Sequence, residues 1–190
     1  MGAGHRPAGR AHGGGPVSGP DVVRIDLGDG HQAVLDAADH PIVAGHSWRC
    51  LHTPTGRQYA ATDFERRLVY MHRLIANTPD DRVTDHRNND GLDNRRANLR
   101  TATRGQNNAH TGKRRTYAGR ESASAFKGVG WDSARGRWRA HAKIDGRNRF
   151  LGRFDSEVEA ARAYDAVAVV AWGEFAFLNF PAEHGQQVAA

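Results

Sequence analysis

Eight consecutive residues, Arg137-Trp138-Arg139-Ala140-His141-Ala142-Lys143-Ile144, alternate polar and apolar without a break. Strand side chains point to opposite faces in turn, so the pattern predicts a half-buried strand and excludes an amphipathic helix. Trp138, Ala140, Ala142 and Ile144 share one face; Arg137, Arg139, His141 and Lys143 share the other. Asp145-Gly146 signals a tight hairpin turn. Phe150-Leu151-Gly152-Arg153-Phe154 then reads as a further strand. Ser156 with Glu159 three residues on is a capping-box signature. The helix it opens runs to about Trp172, with Val158, Ala161, Val167, Val170 and Ala171 roughly along one side, and Gly173 stops it. Residues 125–182 are thus expected to form a three-stranded antiparallel sheet packed on one helix. Trp138 faces the helix, and the other sheet face is left bare and cationic.

The charge map separates this unit from the rest. The 190-residue chain carries a net +6. Residues 111–153 hold 12 basic and 3 acidic side chains, a net +9, whereas residues 21–110 hold 12 of each. Residues 154–190 carry a net −5. Like charge packed this densely repels itself unless it is solvated or faces a polyanion. Arg outnumbers Lys 24 to 3, which a GC-rich genome explains as readily as recognition does. The single Cys50 excludes an internal disulfide and any zinc site built from several cysteines. No apolar run approaches the roughly 18–20 residues of a membrane span.

Residues 1–20 contain seven Gly and three Pro with no apolar run, and read as a disordered tail without a secretory h-region. From Asp21 the pattern is β-like. Val22–Leu27, closed by Gly28-Asp29-Gly30, and Ala33-Val34-Leu35 read as strands. Trp48–Leu51 and Gln58–Thr62 flank a turn at Thr53–Gly56. Leu68–Ile75 is a mainly apolar run open to either strand or helix. Residues 111–124 read as a basic linker and residues 183–190 as a tail. Cys50 is expected to be a small core residue. His5, His12, His31, His40, His46, His52 and His184 are expected at the surface, and His72 in a structural or phosphate-contacting role.

Residues 83–110 hold eleven Asp, Asn or His. Such density is common in solvated loops, but Val83-Thr84 leads into adjacent Asp85 and His86, Asn98–Ala102 reads as a return strand, and Thr103 caps a helix. Together these make a β-loop-β-helix unit with converging polar side chains. Asp and Asn oxygens are hard ligands suited to Mg²⁺ or Mn²⁺, and one imidazole can deprotonate water near neutral pH. Metal-assisted phosphodiester hydrolysis suits that set.

The string Asp85-His86 … Asn94-Arg95 … Asn98-Leu99-Arg100 … Thr103 … Asn107, with Tyr70–Ile75 upstream, resembles the HNH homing-endonuclease family of phages and mobile introns. The resemblance implies an HNH domain over residues 21–110 with a ββα-metal motif. In it His86 acts as general base, Asp85 and Asn107 hold one divalent cation, Mg²⁺ or Mn²⁺, and Asn98 pins the loop and orients His86. Asn108 and His110 compete with Asn107 as second ligand. Arg87-Asn88-Asn89 departs from the family's usual aliphatic–Asn–Gly.

In the second unit, Phe126-Lys127-Gly128-Val129, Trp138, Phe150–Phe154, Glu159–Asp165 and Leu178-Asn179-Phe180-Pro181 resemble the plant Apetala-2/ethylene-response-factor domain. That resemblance implies major-groove contacts from Lys127, Gly128, His141, Lys143, Asn148, Phe150 and Arg153. Alternation adds Arg137 and Arg139. The plant pattern has Arg after Gly-Val, where this chain has Gly130-Trp131-Asp132, and one extra residue precedes Gly136. Sequence preference therefore does not transfer.

The expectation is an α+β chain: a β-rich N-terminal region with the HNH motif, then a DNA-binding sheet on a helix. Its function would be metal-dependent endonuclease action on double-stranded DNA, with no membrane and no protein partner. The setting would be the cytoplasm, with the gene bacterial or phage-encoded. The alternative is a non-catalytic DNA-binding transcriptional regulator whose HNH unit has decayed. A protein-interaction module with a solvated basic face is a third reading.

Overall fold

In the computed structural model, residues 21–113, 116–117 and 120–185 are described, the side chains of 116, 117 and 120 excepted. The glycine-rich segment 1–20, the final residues 186–190, and Arg114 and Arg115 of the expected linker lie outside them.

The described residues open with an antiparallel hairpin, β1 (Val22–Asp26) and β2 (Gln32–Asp36), with Val23 opposite Leu35. Its turn places Gly28, Asp29 and Gly30 all at positive φ, which the two glycines accept without strain. After the short helix α1 (His40–Val43) come β3 (Arg49–His52), β4 (Gln58–Phe64) and β5 (Arg67–Tyr70), an antiparallel meander. The apolar run at 68–75 serves as both elements: strand to Tyr70, then α2 (Met71–Ala76), stopped by Asn77 in the left-handed conformation. Next come β6 (Val83–His86), β7 (Leu99–Ala102) and α3 (Arg104–His110). Thr103 and Gln106 form a reciprocal capping box at the start of α3. Leu27, Ala33, Leu35, Val43, Ala60, Met71, Ile75 and Leu99 form one buried core under these elements.

The expected linker is not structureless. Within it β8 (Thr116–Tyr117) pairs with β9 (Arg120–Glu121). Beyond lies the expected sheet, β10 (Val129–Asp132), β11 (Arg137–Ile144) and β12 (Arg147–Phe154), antiparallel in that order. Burial along β11 follows the alternation: Ala140 and Ala142 are buried, and Arg137, Arg139, His141 and Lys143 are exposed. Opposite it, the register passes from Ala140–Gly152 to His141–Phe150, so Leu151 is an extra residue on β12. That bulge lets Leu151 reach the core while Phe150 turns outward, 59% exposed.

Helix α4 (Glu157–Trp172) covers the other face, and Ser156 caps it by accepting the Val158 N–H at 3.2 Å. The face it buries differs from the expected one. Ala160, Ala161, Tyr164, Asp165 and Ala168 are buried, while Val170 is 88% exposed. Alanines on α4 meet Ala140 and Ala142 on β11, with Val167 and Val169 partly buried against the same cluster. A short 3₁₀ turn, Pro181–His184, spans the expected boundary at 182. The described elements are thus mixed α+β with antiparallel pairing throughout, a single parallel bridge between Val34 and Asp93 excepted.

Candidate nucleic-acid interface

The face of the β10–β12 sheet away from α4 follows from register. Pairs across an antiparallel ladder share a face. Arg139 pairs with Gly130 and Arg153, His141 with Phe150, Lys143 with Asn148, and Arg137 with Asp132. Seven of the predicted DNA contacts, Arg137, Arg139, His141, Lys143, Asn148, Phe150 and Arg153, therefore lie together on one open face.

Their charges are not equally available. Arg137 is held by a forked pair with Asp155, Nε to Oδ1 at 2.8 Å and an amino nitrogen to Oδ2 at 2.6 Å. Arg153 Nε meets Asp132 Oδ2 at 2.8 Å, and its guanidinium lies 4.9 Å from the centre of the Phe150 ring. Asp132 is the acid that stands near where the plant pattern has Arg, so it neutralises the β10 edge. Arg139 and Lys143 have no ion-pair partner among the described residues. His141 has its pKa lowered, first by desolvation and then by Arg139 and Lys113. The free positive charge of the face thus runs down β11.

Two predicted contacts lie elsewhere. Lys127 points into the first unit, where its Nζ donates to the carbonyls of Asn108, Ala109 and Thr111, at 3.4 Å from Asn108 and 2.6 Å from Thr111. It caps the carbonyl end of α3, where a cation is favoured by unpaired C=O groups. Burial lowers its ammonium to about 8. Gly128 has φ +77°, and a Cβ built there would sit 2.0 Å from Tyr164 Cδ2. It is a packing glycine under the Tyr164 ring.

The polar cluster of the first unit surrounds a cavity of about 200 Å³ lined by residues that include Tyr59, His72, Asp85, His86 and Asn107. Asp85 lies at the end of β6 and is 4% exposed. Its Oδ1 meets His110 Nδ1 at 3.0 Å, and its Oδ2 accepts from Arg100 Nε at 2.7 Å. Burial raises the Asp85 pKa, and the bonds from His110 and Arg100 outweigh it, for a net lowering. His86 is buried and its Nε2 meets no partner among the described residues. It lies edge-on to His72 with ring centres 5.0 Å apart. Burial lowers the pKa of both, and that of His72 falls to about 3 with help from His86 and Arg73. Asn98 spans its loop, donating to the Asp93 carbonyl at 2.7 Å and accepting the Asn88 N–H at 3.0 Å. Asn107 on α3 lines the same cavity.

Asp85, His110 and Asn107 are the candidate donors that border this cavity or touch its acid. The one carboxylate already carries a guanidinium on one oxygen and an imidazole on the other. The guanidinium 2.7 Å from Asp85 Oδ2 disfavours a second cation at that oxygen, while His110, one of the candidate second ligands, stands 3.0 Å from Oδ1 and Asn107 lines the same cavity. Sequence reasoning missed Arg100 because its partners are remote. Besides Asp85, its guanidinium donates to the Glu174 carbonyl at 2.8 Å and stacks 4.0 Å over Phe175. Arg87 joins from the same side, 2.5 Å from Glu174 Oε2. Lys113 Nζ reaches the Val129 carbonyl at 2.9 Å. Arg100, Lys127 and Lys113 thus join the two units.

Comparison with known proteins agrees with the sheet and not with the catalytic expectation. The chain is 36% identical over 88 residues to an AP2-like ethylene-responsive transcription factor of Arabidopsis thaliana, covering 46% of this chain and 24% of the relative. It is 42% identical over 53 residues to the Arabidopsis thaliana ethylene-responsive transcription factor WRI1, covering 28% and 12%. It is 39% identical over 61 residues to APETALA2-like protein 2 of Oryza sativa subsp. indica, covering 32% and 14%. The chain therefore spans a quarter or less of the length of these curated relatives. No family model matches the chain, and no solved structure matches it. The chain carries an Apetala-2-like domain. The expectation of an HNH endonuclease, an enzyme, is overturned: several of the relatives, the two from Arabidopsis thaliana above among them, are transcription factors by name. No helix among the described residues is long and apolar enough to cross a membrane.

Proposed function

We propose that this chain is a DNA-binding transcriptional regulator that docks the open face of its β10–β12 sheet into the major groove. The observation that carries the reading is the placement of Arg139, His141, Lys143, Asn148, Phe150 and Arg153 on one face, opposite the helix that buries the other. A β-sheet fits the major groove, where Arg reads guanine O6 and N7 in a fork and Lys reads guanine or meets phosphate. The relatives' names supply regulation of transcription as the purpose. In this reading the first unit is a non-catalytic body that holds the sheet through Arg100, Lys113 and Lys127.

The test is selection of duplexes from a random pool by the purified chain, followed by anisotropy titrations of the winner and a scrambled duplex between 50 and 200 mM salt. A preferred sequence is expected, with affinity that falls as salt rises, because phosphate neutralisation releases counterions. A reporter driven by that sequence should then respond to the chain. No preferred duplex, or an affinity indifferent to salt, overturns the reading.

A further inference from the structure

We propose that His31, Cys50 and His52 form a zinc-binding site that ties the β1–β2 hairpin to strand β3. Their ligand atoms all lie within 4.8 Å of one another. His31 stands just before β2, and Cys50 and His52 stand two apart on β3, so both project from the same side of that strand. The backbone already brings the two elements together, with the Cys50 N–H 3.4 Å from the Leu27 carbonyl at the end of the hairpin's first arm. The two imidazoles meet edge to face with centres 5.3 Å apart, which corrects the expectation that they are unrelated surface residues.

Two imidazoles and one thiolate are a borderline-soft set, suited to Zn²⁺ in tetrahedral geometry with a water in the fourth position. Ligands sharing one zinc at about 2.0–2.3 Å sit closer together than 4.8 Å. Small side-chain rotations close that gap, and His52 is exposed and His31 and Cys50 are only half-buried. The side chain of Gln58, directly opposite His52, now lies among the donors, with Nε2 2.9 Å from His52 Nε2 and 3.4 Å from His31 Nε2. It stands where the ion would and swings aside when the ion enters. The site shares no residue with the polar cluster around Asp85 or with the DNA face, so it stands or falls independently of the proposed function.

The test is titration of the full-length chain, purified metal-free, with Co²⁺ as a spectroscopic stand-in for zinc. One equivalent is expected to give the intense visible bands of tetrahedral cobalt and a thiolate-to-metal charge-transfer band in the near ultraviolet. Zn²⁺ should then displace the cobalt and raise the melting temperature. Cys50→Ser should abolish the charge-transfer band. The exposed His52→Ala change, which puts little of the fold at risk, should weaken binding by about tenfold or more. His86→Ala should leave all bands in place, which separates this site from the other histidine cluster. Octahedral spectra only, a charge-transfer band that survives Cys50→Ser, or bands lost in His86→Ala would each overturn the proposal.

Discussion

Asp165 ties the C-terminal unit together, and its removal is the sharpest test of the packing. The residue is 0% exposed on α4. Its Oδ1 accepts the Asn179 backbone N–H at 2.9 Å and Asn179 Nδ2 at 3.0 Å, and its Oδ2 accepts the Phe180 N–H at 2.8 Å. Asn179 in turn accepts the Lys127 N–H at 2.8 Å and donates to the Lys127 carbonyl at 3.1 Å. One carboxylate thus fastens the helix to the chain's entry into the sheet and to its exit. Asp165→Asn is nearly isosteric but replaces one acceptor oxygen with a donor. If that donor faces Phe180, one charge-assisted bond is lost, about 1.5–3 kcal/mol, and an amide is stranded at a further cost of about 1–3 kcal/mol. The expected loss is therefore about 2.5–6 kcal/mol, or at least about 10 °C in melting temperature for a unit of this size. Tryptophan fluorescence reads it selectively, because Trp131, Trp138 and Trp172 belong to this unit and only Trp48 to the other. Asp155→Asn, at a solvent-exposed carboxylate, is the control and should leave the midpoint nearly unchanged. A loss under about 1 kcal/mol for Asp165→Asn would refute the idea that this carboxylate holds the three segments.

Arg139→Ala should reduce the slope of log affinity against log salt by about 0.9, one phosphate's worth, if it meets the backbone. Arg137→Ala should change the slope less, since Asp155 already neutralises that guanidinium; titrations of both variants beside wild type decide it. Acid should weaken the first unit through His72. Its folded pKa of about 3 lies below the ordinary value near 6.5, so the unfolded chain takes up a proton that the folded one refuses. Stability is then full above about pH 6.5 and falls toward pH 3, with about 2 kcal/mol gone by pH 5. Urea midpoints at pH 7 and pH 5 measure this, and His72→Leu should shrink the difference, leaving the part that buried His86 contributes. Gly128→Ala should cost about 2 kcal/mol or more, from the positive φ and the collision with Tyr164. A Gly128→Ala chain as stable as wild type would refute that packing role.

The open face was legible because a strand's period is local. Alternation from Arg137 to Ile144 already contains the two faces, and the register with β12 then follows from the Asp145-Gly146 turn. Elements whose identity depends on what lies opposite were not legible. The run at 68–75 divides between strand and helix where Met71 meets the core. The seam of α4 falls on alanines because Ala140 and Ala142 lie across from it, and no period within the helix reveals that. A bulge at Leu151 is equally silent in sequence, yet it is what turns Phe150 outward. Lys127 looked like a groove contact by position in a motif, and its actual partners are carbonyls from a helix that ends at residue 110.

The polar stretch at 83–110 shows most clearly why density of chemistry-bearing residues is a poor guide to chemistry. Its side chains largely satisfy one another. Asp93 accepts from Asn88 at 3.0 Å and from Arg95 at 2.7 and 2.6 Å, and Asn98 closes the same loop. A long loop with little apolar content must satisfy its backbone and side-chain groups internally, and Asp, Asn and Arg are the residues that can. The remaining buried acid, Asp85, is joined through Arg100 to the Glu174 carbonyl and the Phe175 ring of the second unit. An ion pair this buried adds little net stability over an apolar contact, but losing one partner is costly, so it favours one docked geometry over others. Arg95, Arg96 and Arg100 are thus engaged with Asp93, Asp39 and Asp85 inside the fold. Arg139 and Lys143 on β11 have no such partner among the described residues, and their charge is left for something outside the fold.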